Sequence, residues 1–270
     1  MKSGGVKIRC MNVGCNHQIA LPNGKVILID PFFPETLPKE CRKESVQAAD
    51  YILLTHSHFD HDAETGYFVE TYGAKVFCGF MSARAVLEYH KIPFDNMIPV
   101  FPGQTYDMDG FAVEVSQAKH NEMQGKTYDP TLDLALRMGG RQGHNECDTF
   151  GSLESMDYRI ITDTGFCIAV ISGIPMWKNG ILRCREQKNH VVLRQATMRE
   201  EGRQVSPEKL ARLFVQYKSP LVIPFHTENV KKRLSDITVE EYFDQVDKCA
   251  RKLDPQCHVM YPETGKWYDL

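Results

Sequence analysis

The chain has 270 residues, 42% of them hydrophobic, enough for a sizeable core in one large domain or two small ones. Its formal charge of −3 and pI near 6.4 give no global attraction to nucleic acid or an anionic membrane, and no stretch approaches the roughly 18 apolar residues that span a bilayer. Nine cysteines, an odd number without CxxC or zinc-finger spacing, argue against a disulfide framework. Met1-Lys2-Ser3-Gly4-Gly5 leads into a strand rather than an apolar leader, so the expectation is a reducing cytoplasm with most thiols as small buried apolar groups.

Val6 to Leu21 reads as two short strands around Asn12–His17, and Asn23-Gly24 is the hairpin signal leading into Val26–Ile29. Pro34 to Ala49 is polar and reads as a surface loop with a short helix. The apolar run Tyr51-Ile52-Leu53-Leu54 is a short buried strand, and it delivers Thr55-His56-Ser57-His58-Phe59-Asp60-His61-Asp62. Residues two apart in an extended segment point the same way, so His56 and His58 can reach one metal ion together. Asp60 and His61 follow the turn and face a second, adjacent position. Imidazoles with a carboxylate suit Zn²⁺, with Mn²⁺ or Fe²⁺ also possible, and two such ions about 3.5–4 Å apart form a hydrolytic centre.

His-x-His-x-Asp-His after an apolar strand resembles the signature of the metallo-β-lactamase-fold superfamily of metal-dependent hydrolases. Lys25-Val26-Ile27-Leu28-Ile29-Asp30-Pro31-Phe32 and Ile223-Pro224-Phe225-His226 are most similar to its lactonase-like (ascorbate-6-phosphate lactonase-like) branch. The resemblance runs from about Val6 to His226 and is specific for fold and metal, far less so for substrate. It implies an α/β, four-layer αββα sandwich, with helices outside two facing mixed sheets and the metal centre at one edge. It also places the turn between the first two strands near the metals, so Asn16 or His17 either faces them or simply makes that turn. Asp30 either holds a ligand histidine by its second ring nitrogen or caps the Pro31 turn.

Downstream, Ala63 to Tyr72 has helical character with Gly73 as C-cap, Ala74–Phe77 reads as a strand and Ser82–His90 as a helix that His90 ends as a dipole partner. Asp109-Gly110 turns the chain into Phe111–Ser116, which runs out to His120, where the resemblance puts a third histidine of the first metal position. In the segment 139–148, His144, Glu146, Cys147 and Asp148 are all potential ligands, or else a polar loop over the mouth of the site.

The family normally supplies a metal-bridging Asp after a strand, and here two registers compete. Thr162-Asp163-Thr164-Gly165 follows the strand Tyr158–Ile161 and makes Asp163 a candidate ligand. Phe166–Ile171 is then a second strand, which makes Asp163 a hairpin tip, moves the metal-end turn to Ser172-Gly173-Ile174-Pro175, and leaves Ile174 where the Asp should be. The hairpin register is preferred, and it implies a weakened second metal position. Val191–Leu193 reads as a strand. Ser206-Pro207 opens a helix with Leu210, Leu213, Phe214 and Tyr217 on one face, and Leu221–Phe225 is a buried strand ending in His226. Thr238-x-x-Glu241 is a capping box, and His258–Tyr261 a closing strand, while His190 and His258 carry no motif.

No repeat, low-complexity segment or linker divides residues 1–270, so a single domain is expected. The resemblance implies that His56, His58 and His120 hold one metal and Asp60, His61 and His226 the other, with a metal-activated water attacking an ester, lactone or phosphodiester and Asp60 orienting it. The partner is then a small-molecule substrate. A nuclease is disfavoured because no basic, aromatic-rich patch stands out. A mononuclear-iron oxidoreductase of the same fold, or a non-enzymatic metal-binding or sensing domain, would use the same histidines.

Overall fold

The computed structural model describes residues 5–12, 14–120, 143–173, 187–200 and 202–270. Two large sheets face each other, each half antiparallel and half parallel. The first runs, in spatial order, Trp267–Asp269 (β16), Lys7–Cys10 (β1), His17–Ala20 (β2), Val26–Ile29 (β3), Tyr51–Leu53 (β4), Lys75–Gly79 (β5) and Met97–Val100 (β6). The second runs His258–Val259 (β15), Leu221–Phe225 (β14), Val191–Gln195 (β11), Cys167–Ile171 (β10), Ser155–Thr162 (β9), Phe111–Ala118 (β8) and Thr105–Met108 (β7). Arg199–Glu200 (β12) and Arg203–Gln204 (β13) form a separate small hairpin.

Strand composition follows position in the sheet. The central β3, Val-Ile-Leu-Ile, is buried on both faces and is a continuous apolar run, whereas β8 buries alternate residues. Ile27, Leu53, Val113, Ile160, Val170 and Ile223 meet between the sheets. On the outer face of the first sheet, Leu28, Ile52 and Val76 pack against the helices Thr65–Tyr72 (α2) and Phe80–His90 (α3) through Phe68, Val69 and Val86. On the outer face of the second, Ala169, Val192 and Val222 pack against Pro207–Phe214 (α5) and Val239–Leu253 (α6) through Leu210, Phe214, Phe243 and Val246. The layers are therefore helix, sheet, sheet, helix: the four-layer αββα sandwich of the metallo-β-lactamase fold.

The local signals act as expected at most ends. Ser206 Oγ accepts from Lys209 N, Thr238 and Glu241 complete a capping box, and Gly73 ends α2 at φ 67°. Several elements depart from expectation. Residues 145–153, read as loop, are the helix Asn145–Leu153 (α4), and the first sheet gains β16, paired antiparallel to β1, and β6, paired parallel to β5. Among the described residues no helix is long and apolar enough to cross a membrane, and all eight described cysteines are free thiols.

Candidate metal centre

Three strand ends converge at one edge of the sandwich. β4 leads through Leu54 and Thr55 into His56 and the short helix Phe59–Asp62 (α1), with His58 as its N-cap. The second sheet pins this loop, Met156 N donating to Thr55 O at 2.7 Å and Tyr158 Oη to Leu54 O at 2.6 Å. β8 ends at Ala118, two residues before His120, and β14 ends at Phe225, directly before His226.

His56, His58 and His120 bring their ring centroids within 4.5–4.8 Å of one another, and their ligand atoms converge. Burial, reinforced by the neighbouring imidazoles, holds His56 and His58 well below the ordinary histidine pKa. Both rings are therefore neutral and offer a lone pair, the state in which imidazole binds metal. Ser152 Oγ lies 2.7 Å from His58 Nε2 and orients that ring.

The second position is built from His61 and His226. Asp30 binds His61 Nδ1 at 2.8 Å and also accepts from Thr55 N and Oγ1, both at 2.7 Å. It is thus the carboxylate behind a candidate ligand histidine, in line with the first of the two roles considered for it. Burial opposes a charge on His61, but Asp30 and Asp60 outweigh it and raise its pKa to about 8. Glu228 binds His226 Nδ1 at 2.7 Å. With both Nδ1 atoms held by carboxylates, the two Nε2 atoms face each other at 2.9 Å. A cation must lie between them: a proton shared from His61 fills that place, and on its loss both Nε2 lone pairs are free to bind a metal, so the residues present fit one. Asp60 Oδ1 is buried without a hydrogen-bond partner. Burial pushes its pKa up, yet His61, His226 and His58 more than offset this and hold the carboxylate ionised.

Backbone conformation here is unusual. Asp30 (φ 47°) and His226 (φ 56°) are two of the four non-glycine residues at positive φ among those described.

Cys15 is a residue that sequence reasoning missed. Its thiol groups with the ring nitrogens of His61 and His226, and donates to Asp60 O at 2.8 Å. It had been counted among the small buried apolar thiols, and only the approach of the β1–β2 turn to His226, sealed by His226 N donating to Gly14 O at 2.7 Å, brings it in. Asn16 and His17 are buried beside it, with His17 Nδ1 bound to Cys15 O rather than placed among the ligands.

The Asp163 candidate is corrected by topology. β9 and β10 pair antiparallel with Cys167 opposite Ile161, so Thr162–Phe166 is a hairpin tip and Asp163 is exposed there. Ala118, at the metal end, pairs with Ser155, while Thr162 pairs with Phe111, seven residues along the ladder. At about 3.3 Å per residue this places Asp163 roughly 20 Å from the centre. Ser172 and Gly173 do lie at the metal end, a Cβ on Gly173 standing 2.9 Å from Ala118 Cβ. They carry no carboxylate, and Ile174 lies outside the described residues.

The fold is that of the metallo-β-lactamases, and the clustered histidines form a candidate metal centre at its edge. Comparison with known proteins agrees: the model of the Metallo-beta-lactamase superfamily matches residues 18–117. A UPF0173 metal-dependent hydrolase from Thermodesulfovibrio yellowstonii is 35% identical over 78 residues, 28% of this chain, and the chain spans 29% of that relative's length. Igni18, a metallo hydrolase from Ignicoccus hospitalis, superposes with a TM-score of 0.65 at 15% identity over 97% of both chains. An isothiocyanate hydrolase from Delia radicum gut bacteria gives a TM-score of 0.65 at 15% identity over 98% of both chains.

Proposed function

We propose that this chain is a metal-dependent hydrolase acting on an ester, lactone or phosphodiester bond of a small-molecule substrate. His56, His58 and His120 hold one ion, and Asp60, His61 and His226 the other, zinc being the metal that best suits this donor set. The observation that carries the reading is the convergence of three imidazoles at the sheet edge.

The chemistry that a dication held there would supply is Lewis acidity, which would activate water and polarise the scissile group. The chain's own residues do the rest. Asp60 offers a buried, unpartnered Oδ1 that can accept the nucleophile's proton and orient its lone pair. Asp30 and Glu228 fix the tautomers of His61 and His226, so both Nε2 atoms face the centre. Cys15 supplies a thiol at the second position, where Ser172 and Gly173 provide no bridging carboxylate. A sugar-phosphate lactone or cyclic ester is the first substrate class to test, on the strength of Ile29-Asp30-Pro31-Phe32 and Ile223-Pro224-Phe225-His226.

The test is metal analysis of protein purified without chelator, followed by a screen of esters, lactones, phosphodiesters and isothiocyanates. Turnover on one class, reduced roughly 10²–10⁴-fold in the nearly isosteric Asp60→Asn, is the expected result. Wild-type turnover in that variant removes Asp60 from the mechanism. Bound iron with no hydrolysis of any class would replace this reading with an oxidoreductase.

A further inference from the structure

A second cluster of ligand-type side chains lies outside the centre just described and shares none of its residues. Asp62, His144 and Cys147 bring a carboxylate oxygen, a ring nitrogen and a thiol sulfur within 4.8 Å of one another, and all three residues are buried. They come from two elements: Asp62 ends α1, while His144 is the N-cap of α4 and Cys147 sits in the first turn of that helix. His90, the last residue of α3, adds its Nε2 at 3.3 Å from Asp62 Oδ2, and Asp148 its Oδ1 at 3.0 Å from His144 Nδ1.

His144 Nε2 hydrogen-bonds Asp62 Oδ1 at 2.8 Å, but the cluster leaves several other polar atoms unsatisfied. Asp62 Oδ2, His90 Nε2, His144 Nδ1 and Asp148 Oδ2 are all buried without a hydrogen-bond partner, although the first three lie within 3.3 Å of an oppositely charged or polar group. A buried polar atom left unpaired costs the full desolvation of that group, and native interiors rarely tolerate several together. The charge is unbalanced as well. The ion pairs of Asp62 and Asp148 are made to imidazoles, with no lysine or arginine among them, whereas buried carboxylates are normally paired with a full cation or bound to metal. Asp62 Oδ2, His90 Nε2 and His144 Nδ1 lie at contact distance from a polar neighbour without hydrogen bonding to it, as ligands aimed at a common point do.

We propose that Asp62, His144 and Cys147, with His90 as fourth donor, hold a further transition-metal ion of the zinc class. The mixed sulfur, nitrogen and oxygen set suits zinc, and the donors are buried on all sides, as in closed structural sites. Cys147 binds as the thiolate, releasing its proton to solvent as the ion enters. The ion ties α3 and α4 to the loop that carries His56 and His58. It is a structural brace, and its existence does not depend on hydrolysis at the neighbouring centre.

The experiment uses the full chain loaded with zinc or cobalt alone. Because Cys15 also carries a thiol near a metal position, the measurement is made in Cys15→Ser. Cobalt-loaded Cys15→Ser should show thiolate-to-cobalt absorption, and the further change Cys147→Ser should abolish it and lower bound metal by one equivalent per chain. His58→Ala in the Cys15→Ser background should leave that absorption intact. Should Cys147→Ser fail to fold, X-ray absorption of zinc-loaded Cys15→Ser must still show a sulfur neighbour at about 2.3 Å. Absence of thiolate absorption and of that sulfur neighbour, or their persistence once Cys147 is changed, overturns the proposal and leaves His144 as an imidazolium clamped between two carboxylates.

Discussion

A β-carbon on Gly151 would stand 2.8 Å from the backbone nitrogen of His58, and equally close to the carbonyl carbon of Ser57. Helix α4 thus lies directly on the backbone of the histidine motif, with Ser57 Oγ donating to Cys147 O and Phe59 N to Asp148 Oδ1. Gly151→Ala forces these apart, since the obstacle is backbone and cannot rotate away. The expected cost is about 1–3 kcal/mol of stability, with weakened metal binding as His58 shifts. Denaturant unfolding and a metal titration read the two effects; wild-type values in both would show that the helix does not rest there.

Asp30 is the carboxylate behind His61, at 2.8 Å. Asp30→Asn keeps the shape, and asparagine tolerates the left-handed backbone, but it removes the charge that fixes the ring. Metal affinity should fall roughly 10–100-fold, the usual consequence of losing such a partner. Chelator competition measures it, and an unchanged affinity would mean that His61 is oriented by something else.

Asp163 makes the opposite case. Exposed at the hairpin tip, it should tolerate Asp163→Ala with unchanged metal content and a stability change within about 0.5 kcal/mol. Loss of a metal equivalent would contradict the pairing of β9 with β10.

His17 sets an acid limit on stability. Burial lowers its pKa from 6.5 to about 4, and its Nε2 has no hydrogen-bond partner. Between those values the unfolded chain binds a proton that the folded chain refuses. The contribution of neutral His17 is therefore complete above pH 6.5 and lost as pH falls towards 4, about 3 kcal/mol in all. Unfolding of metal-stripped wild type and His17→Gln at pH 7 and pH 5 should show the wild type losing about 2 kcal/mol more over that interval. Parallel losses would mean that His17 is protonated in the folded state.

The metal motif was legible because its information is local. His56, His58, Asp60 and His61 lie within six residues after an apolar strand, and His120 and His226 were found because each follows a legible strand at a place where the family resemblance puts a ligand. What could not be read depends on distant parts of the chain. Ser152 reaches His58 across 94 positions, and Cys15 reaches the backbone of Asp60 across 45, with no periodicity to announce either. Helix α4 was hidden by its own chemistry: its N-cap is His144 rather than a hydroxyl or carboxamide residue, and it contains Gly151, a poor helix former kept for the close approach to His58. β16 was missed because Trp267–Asp269 is three residues long and mostly exposed, so its pairing to β1 leaves no burial pattern in the sequence.

The left-handed backbone at Asp30 and His226 sets durability against activity at the same two residues. A non-glycine side chain at such a φ costs of order 1–3 kcal/mol, held only because the surroundings impose it. Glycine at 226 would relax that conformation, yet it would delete a ligand. His226→Gly relieves that strain but also empties a buried site and unpairs Glu228 and His61, so it should abolish the metal-dependent part of stability without a gain in the metal-free protein. A strained left-handed histidine is a poor choice for robustness alone, and its place there is accounted for by the ligand role proposed for it.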